Sequence, residues 1–187
     1  MKIKVSLFAI ALFAIAQLQG QVSDNCVASA ILSAYSERAY TSEPVTDAQL
    51  GLILECGIKA PSARNIQPWK FTVIKDEATM KEIINNVIPG NVLVIVSGAE
   101  SESGDTPDFD CGLAAESMFL AAHGLGLGAR IYGSPAGRIN SDKDLFQIPS
   151  GYSAVVVLRI GNVDESVDAV SAATQRKSPE EVINYKQ

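Results

Sequence analysis

The chain has 187 residues, which is enough for one domain with its own hydrophobic core. Hydrophobic residues make up 47% of it, and the formal net charge is −6 at pH 7. This acidic balance argues against nucleic acid as a partner, because such proteins carry a basic surface. One histidine and three widely separated cysteines do not provide the ligand spacing of a metal site, so no metal is expected.

The first 20 residues have the pattern of a secretory signal peptide. Lys2 and Lys4 precede an apolar run from Val5 to Ala16, which is shorter than the roughly 20 residues of a spanning helix. We therefore predict a leader at residues 1–20 and a mature domain at residues 21–187. The mature protein is expected in the periplasm or outside the cell, without stable membrane insertion. An uncleaved anchor is the alternative.

Two helices are predicted in the first part of the mature chain. Ser23 or Asp24 can cap a first helix that extends to about Tyr35. Thr46 and Gln49 have the spacing of a capping box, and apolar residues then recur at helical intervals.

A polar loop at residues 60–68 follows the second helix. Pro61 ends the helix, and Pro68 is expected to hold Gln67 in an extended conformation. The loop carries short side chains that both donate and accept hydrogen bonds, namely Ser62, Asn65 and Gln67. From Trp69 onward apolar and polar residues alternate as in a half-buried strand, and Trp69 is expected in the core. Either this loop binds a ligand or it only connects its neighbours.

The remaining pattern alternates helices and strands. Asp76 is predicted to cap a third helix through Val87. The other predicted elements are a strand buried on both faces at 92–96, an acidic connector at 97–108, a helix at 109–123, a strand at 129–132, a short helix beginning at Ser141 and Asp142, a strand at 153–161 and a surface connector at 163–174. Glycines 124, 126 and 128 follow a helix rather than a strand, which excludes a Rossmann fingerprint.

The stretch Ala60-Pro-Ser-Ala-Arg-Asn-Ile-Gln-Pro-Trp69 resembles the first signature of the FMN-dependent nitroreductase family. Further matches extend the resemblance to roughly Ala28–Asn184. They include Tyr35-Ser-Glu-Arg38, Gly133-Ser-Pro-Ala-Gly137 and Arg176-Lys-Ser-Pro-Glu-Glu-Val182. The family usually has an arginine where this chain has Ala34, and a Glu-Gly pair where it has Ala136 and Gly137.

The resemblance implies where FMN would be held. It assigns contacts with the phosphate, the ribityl chain and the ring to Ser36, Arg38, Pro61, Ser62, Ala63, Asn65, Gln67, Ala136, Gly137 and Arg176. The family often supplies a further asparagine, for which Asn85 and Asn86 are both candidates here. No side chain is assigned as a catalytic acid or base, because the flavin performs the redox chemistry.

The resemblance also implies an α+β fold with a mixed sheet covered by helices, and a homodimer with two shared FMN sites. In that dimer the alanine-rich helix at 109–123 would lie against its twin. The expected function is an oxidoreductase that reduces nitroaromatics, quinones or related small organic acceptors by a ping-pong mechanism, with NAD(P)H as a possible donor. Two alternatives to an enzyme stay open. Export favours a flavin-binding protein without turnover, and Ala34 with the altered 133–137 loop favours a structural domain that has lost FMN.

Overall fold

The computed structural model describes residues 25–100, 107–170 and 175–186. The predicted signal peptide and the predicted caps Ser23 and Asp24 lie outside these ranges. In chain order the helices are α1 (Cys26–Ser33), α2 (Asp47–Ile58), α3 (Glu77–Ile83), α4 (Pro107–Gly124), α5 (Ala136–Ser141) and α6 (Pro179–Val182), and the strands are β1 (Trp69–Ile74), β2 (Val92–Ala99), β3 (Leu127–Tyr132) and β4 (Tyr152–Asn162).

The four strands form one sheet in the order β1-β2-β4-β3. All three neighbouring pairs are antiparallel. The α+β class is confirmed, whereas the mixed sheet is wrong for the described residues. The reason is topological: β2 and β3 run in the same direction, but β4 lies between them and is antiparallel to both.

Helices cover both faces of the sheet. On one face α2 and α4 pack against Val94, Val96 and Leu158. On the other face α3, α5 and the segment after α5 pack against Leu93, Ile95 and Val157, together with Phe146. Residues Leu93 to Val96 are fully buried, which confirms the prediction of a strand covered on both sides.

Several predicted boundaries shift. Helix α1 is capped by the Asn25 side chain and ends at Ser33, because Ala34 has an extended backbone. The capping box of Thr46 and the cap at Asp76 are both confirmed, but α3 ends at Ile83, before Val87.

The predicted connector at 97–108 is shorter than expected. Its first residues continue β2 as far as Ala99, and α4 already begins at Pro107. The short helix α5 ends at Ser141 instead of beginning there, because Pro135 starts it six residues earlier. Within the described ranges, no helix is long and apolar enough to cross a membrane.

Candidate functional site

The segment before Tyr40 is organised by a buried carboxylate. Glu37 is only 1% exposed, and its side chain accepts hydrogen bonds from the backbone N–H groups of Arg38 at 2.7 Å and Ala39 at 2.8 Å. The hydroxyl of Tyr35 donates to the same carboxylate at 2.8 Å. Burial and this carboxylate raise the pKa of Tyr35 to about 12.

The inward position of Glu37 turns its two neighbours outward. Ser36 and Arg38 are both exposed, and the Arg38 guanidinium forms no ion pair with any carboxylate of the described residues. The Glu37 N–H also donates to the carbonyl of Ala129 at 3.0 Å, which fixes the segment to β3. Ser36 and Arg38 are therefore presented to solvent from a rigid backbone.

Gly128 makes this attachment possible. A Cβ atom at this position would lie 2.5 Å from Cγ and 2.9 Å from Cβ of Glu37, which is closer than real contacts allow. Gly128, near the start of β3, thus serves close packing of the Glu37 side chain, in agreement with the rejection of a dinucleotide fingerprint.

An open groove of about 520 Å³ lies beside β3, at the end of α3. Its floor includes Arg130 and Tyr132, with the Arg130 guanidinium 4.8 Å from the centre of the Tyr132 ring. The other lining residues are Lys81, Glu82, Ile83, Ile84, Asn85, Asn86, Ser134 and Pro135. Glu82 is paired with Arg138 at 3.5 Å, whereas Arg130 forms no ion pair with a described carboxylate. The groove therefore suits an anionic or electron-rich ligand.

Behind the groove lies Arg159, in the middle of β4 and only 2% exposed. It donates hydrogen bonds to Asn91 and Asn86 and lies 4.1 Å from the centre of the Tyr40 ring. It is also the direct cross-strand partner of Arg130. Neither arginine has a role among the residues predicted from sequence. The sign of Arg159 in the sequence is a single charged residue inside the apolar strand at 152–162.

The structure distinguishes between the two candidate asparagines. Both Asn85 and Asn86 line the groove. Of the two, only Asn86 is hydrogen-bonded to Arg159. The guanidinium donates to the side-chain oxygen of Asn86 at 3.2 Å and to its backbone oxygen at 3.1 Å.

The polar loop at residues 60–68 has a compact conformation. Its side chains interact within the loop: the hydroxyl of Ser62 accepts a hydrogen bond from the Gln67 N–H at 2.9 Å, and the Gln67 side chain donates to the carbonyl of Asn65 at 3.2 Å. The extended conformation predicted for Gln67 is wrong, since its φ is 53°. The hydrogen bond to Ser62 holds this left-handed turn despite the following proline.

The loop is attached to the start of α4 rather than to the groove. Ala63 N–H donates to the carboxylate of Asp110, which is 6% exposed. Pro61, Ala63, Asn65 and Gln67 are exposed, and Ser62 is half-buried. Trp69 is buried, as predicted, and stacks on Phe71.

The predicted site residues fall at opposite edges of the sheet. The loop precedes Trp69 at the start of β1, which is one edge strand. The groove is lined by Arg130 and Tyr132 of β3, the other edge strand, and the segment of Ser36 and Arg38 is hydrogen-bonded to β3 through Glu37. Three strand spacings separate β1 from β3, which corresponds to roughly 14 Å. One chain therefore does not bring Ser62, Asn65 and Gln67 together with Ser36 and Arg38.

The last three predicted positions have different surroundings. Ala136 and Gly137 lie in the first turn of α5, and the Ala136 N–H already donates to the carbonyl of Gly133 at 3.2 Å. The groove contacts the preceding Ser134 and Pro135 instead. Arg176 lies on the C-terminal segment 175–186, whose side chains are all exposed. None of these placements tests the predicted contacts with a flavin.

Other reactive side chains do not form a second site. His123 is within 3.1 Å of the Ser33 hydroxyl and edge-on to Tyr35, which suits a satisfied residue at the end of a helix. Cys111 is fully buried, and burial raises its pKa to about 12. The described residues contain no cluster of side chains that could hold a metal ion.

Comparison with known proteins gives a consistent result. The model of the nitroreductase family matches residues 31–92 and 89–162. A protein of Methanothermobacter thermautotrophicus, named as an NADH dehydrogenase/NAD(P)H nitroreductase, is 32% identical over 155 residues, covering 77% of this chain and 81% of the relative.

Solved structures show the same fold. A nitroreductase of Desulfovibrio desulfuricans in complex with FMN is 29% identical, with a TM-score of 0.70 over 88% of this chain and 98% of that chain. A Bacteroides fragilis nitroreductase with bound FMN has a TM-score of 0.72 at 22% identity, over 87% of this chain and 100% of that one. The chain therefore belongs to the nitroreductase family of oxidoreductases, as its loop sequence predicted.

Proposed function

We propose that this member of the nitroreductase family holds FMN non-covalently and passes electrons from a reduced donor to a small organic acceptor such as a nitroaromatic or a quinone. The family match supports the reaction class, and the name of the archaeal relative supports NAD(P)H as the donor. The FMN complex of the Desulfovibrio relative supports the cofactor.

The residues of this chain fit such a cofactor. The groove provides the guanidinium of Arg130 and the amides of Asn85 and Asn86. Arg130 and Arg38, which lies on the segment hydrogen-bonded to β3, form no ion pair with a carboxylate of the described residues. Asn91 adds a buried amide nitrogen without a partner in the same region. We assign the phosphate to Ser36 and Arg38, since a guanidinium binds a phosphate through paired, charge-assisted hydrogen bonds. Arg176 is a second candidate for the phosphate.

Bound FMN would supply the electron transfer, and no side chain of the groove is assigned as a catalytic acid or base. The protein groups then act by holding and orienting the cofactor. Donor and acceptor would use the same open groove in turn, as in a ping-pong sequence.

The observation that carries the proposal is the separation of the two halves of the site. In one chain the loop of Ser62, Asn65 and Gln67 adjoins β1 and the groove adjoins β3, so the two lie at opposite edges of the sheet, roughly 14 Å apart across the strands. A second copy that places its loop over the groove would complete the site. We therefore propose a homodimer with two FMN sites, each built from both subunits.

The exposed surface supports this assembly. Ala114, Ala115 and Ala122 of α4 are fully buried within their own chain, so a twin helix would contact other residues of α4, of which Phe109 is exposed. Large apolar side chains are also exposed outside α4, and such a surface is typical of an obligate interface. They include Val27, Ile31, Leu32, Leu52, Ile58, Ile66, Val182, Ile183 and Tyr185.

We propose in addition that the protein is exported after removal of residues 1–20, on the basis of Lys2, Lys4 and the short apolar run. Export would separate it from cytoplasmic nicotinamide cofactors. A flavin-binding protein without turnover is therefore the second candidate.

The test is titration of the purified protein with FMN, followed by anaerobic reduction and addition of a quinone or nitroaromatic. The proposal predicts tight binding and rapid reoxidation by the organic acceptor. Binding without reoxidation would favour the second candidate. No binding of FMN would exclude both and leave a structural domain.

A further inference from the structure

Arg159 is an unusual residue for the middle of a central strand. It is 2% exposed, and the residues around it in β4 are apolar. Burying a guanidinium is costly unless hydrogen bonds and an opposite charge compensate it. Among the described residues, no carboxylate forms an ion pair with Arg159. Its partners are two amides and a ring.

Those partners fix the guanidinium firmly. Nε donates to the side-chain oxygen of Asn91 at 2.9 Å. The Tyr40 ring covers the guanidinium at 4.1 Å, a cation–π contact that partly compensates the lost hydration. Gly161 leaves the space for both neighbours, because a Cβ there would lie 2.4 Å from the Asn91 amide nitrogen and 2.8 Å from the Tyr40 ring.

The remaining hydrogen bonds of Arg159 go to Asn86. One terminal nitrogen donates to the side-chain oxygen of Asn86 at 3.2 Å, and the other donates to its backbone oxygen at 3.1 Å. A guanidinium has donors and no acceptor, so the group that faces it must be the amide oxygen. The NH₂ group of Asn86 is thereby turned away from Arg159, and Asn86 lines the groove.

The charge of Arg159 adds to this effect. Its cross-strand partner is Arg130, which lies in the groove. Like charges directly opposite each other destabilise a sheet. Arg130 and Arg159 face each other, and no carboxylate of the described residues forms an ion pair with either. Their repulsion therefore destabilises the sheet, and an electron-rich ligand in the groove would reduce this repulsion.

We propose that Arg159 is a positioning residue for the cofactor site: it locks the Asn86 amide so that its NH₂ group donates to a ring carbonyl of the bound flavin. This inference rests on the proposed function, because it requires a flavin in the groove. It also assigns the ring contact to Asn86 rather than to Asn85. Arg159 itself does not touch the ligand.

The exposed residue Asn86 allows a test that does not disturb the core. Asn86→Asp keeps the shape and can still accept from Arg159, but a carboxylate cannot donate. Asn86→Ala removes the amide altogether. A lost hydrogen bond to a carbonyl corresponds to roughly a two- to tenfold weaker affinity. Since ring carbonyls are present in both ligands, FMN and riboflavin should lose affinity equally.

Asn85→Asp is the matched control, since it introduces the same charge at the neighbouring position on the same groove. We expect Asn86→Asp to weaken riboflavin binding clearly more than Asn85→Asp does. Equal losses for the two aspartate variants would overturn the proposal, because the effect would then be that of charge alone. A loss confined to FMN would overturn it as well, since it would place Asn86 at the phosphate.

A double-mutant cycle tests whether Arg159 affects flavin binding through Asn86. Arg159→Lys keeps the charge but cannot form the forked contact. If Arg159 acts by orienting Asn86, Arg159→Lys should weaken flavin binding in the natural background and have no further effect once Asn86 is alanine. A purely structural role predicts additive losses in the two backgrounds. The melting temperature of each variant without flavin is recorded alongside.

The Asn86 variants keep the proposal falsifiable if Arg159→Lys does not fold. The binding data also distinguish failure of the proposed FMN binding from failure of the role of Arg159 and Asn86. A natural chain that binds neither FMN nor riboflavin would refute the proposed function. A natural chain that binds both, with Asn86→Asp indistinguishable from it, would refute only the role of Arg159 and Asn86.

Discussion

Both carboxylate oxygens of Asp110 lie within hydrogen-bond distance of the Ala63 N–H, at 3.2 and 3.3 Å. This contact ties the polar loop to the first turn of α4 and so fixes where Ser62 and Asn65 stand. An acidic side chain is also favourable at the beginning of a helix. A residue outside the loop signature thus determines the position of that signature.

Replacing Asp110 should therefore loosen the loop. We expect Asp110→Ala to lower the free energy of unfolding by about 1–2 kcal/mol, because the bond to a charged acceptor is lost. Asp110→Asn keeps an acceptor and should cost less. Urea denaturation measures both, with Asp108→Asn in the same helical turn as the exposed control. Identical midpoints for Asp110→Ala and Asp108→Asn would contradict this role.

Arg38 gives a prediction about the ligand. Arg38→Ala should weaken FMN binding by about 1.5–3 kcal/mol, which is roughly 10- to 150-fold, since charge-assisted hydrogen bonds to the phosphate would be lost. Riboflavin lacks the phosphate and should bind as before. Because Ala34 stands where the family usually has an arginine, fewer cations share the phosphate and the loss should be near the upper limit.

Fluorescence titration with both ligands tests the role of Arg38. Lys59→Ala, an exposed cation at the end of α2, is the control and should affect neither ligand. Equal losses for FMN and riboflavin in Arg38→Ala, or no loss for either, would remove Arg38 from the site.

The packing of Glu37 against β3 predicts a sensitive glycine. Gly128→Ala places a Cβ 2.5 Å from the Glu37 side chain and 3.1 Å from Val163. Overpacking of this kind costs about 1–3 kcal/mol. Gly124→Ala is the matched control, because nothing lies within 4 Å of its added Cβ. Thermal unfolding should show a clearly lower melting temperature only for Gly128→Ala. Equal melting temperatures for the two variants would contradict tight packing, because they would show that the segment around Glu37 moves to make room for the added Cβ.

The three cysteines should differ in reactivity. Burial raises the pKa of Cys111 to about 12, so at pH 8 only about one thiol in 10,000 would be ionised. Cys26 is exposed. Mass spectrometry after alkylation at pH 8 should find Cys26 modified and Cys111 intact, with all three modified in denaturant. Rapid modification of native Cys111 would contradict the packing of α4 against the sheet.

The raised pKa of the Cys111 thiol predicts how the free energy of unfolding depends on pH. Above the ordinary pKa of a thiol, the unfolded chain releases the Cys111 proton while the folded state still holds it. The contribution of this thiol to stability is therefore present at neutral pH and is lost as pH rises towards about 12. The raised pKa of Tyr35 acts in the same direction. Denaturation at pH 7 and pH 10 should show the lower midpoint at pH 10.

Local patterns predicted much of the fold. The caps at Thr46 and Asp76 and the buried strand at 92–96 follow from short-range chemistry, and all three are confirmed. The antiparallel sheet was not predictable in the same way, because the insertion of β4 between β2 and β3 is a long-range choice. The conformation of Gln67 also depends on a contact, with Ser62, that outweighs the preference of a residue before proline.

The candidate site was predictable only as a set of residues. The loop signature identified Ser62, Asn65 and Gln67, and the family match bears out the resemblance. Arg130 and Arg159 were missed, because an isolated arginine in a strand gives no sign of what it contacts. Their cross-strand pairing depends on strand register, which appears only when the sheet is assembled.

Sedimentation of the purified protein, followed by absorbance of both protein and flavin, tests the central claim of an FMN site shared between two chains most directly. The account predicts that flavin absorbance sediments with a species of twice the chain mass, at two FMN per dimer. A protein that sediments as a single chain while binding FMN tightly would contradict the shared site, and a flavin-free protein that does not take up added FMN would contradict the proposed function itself.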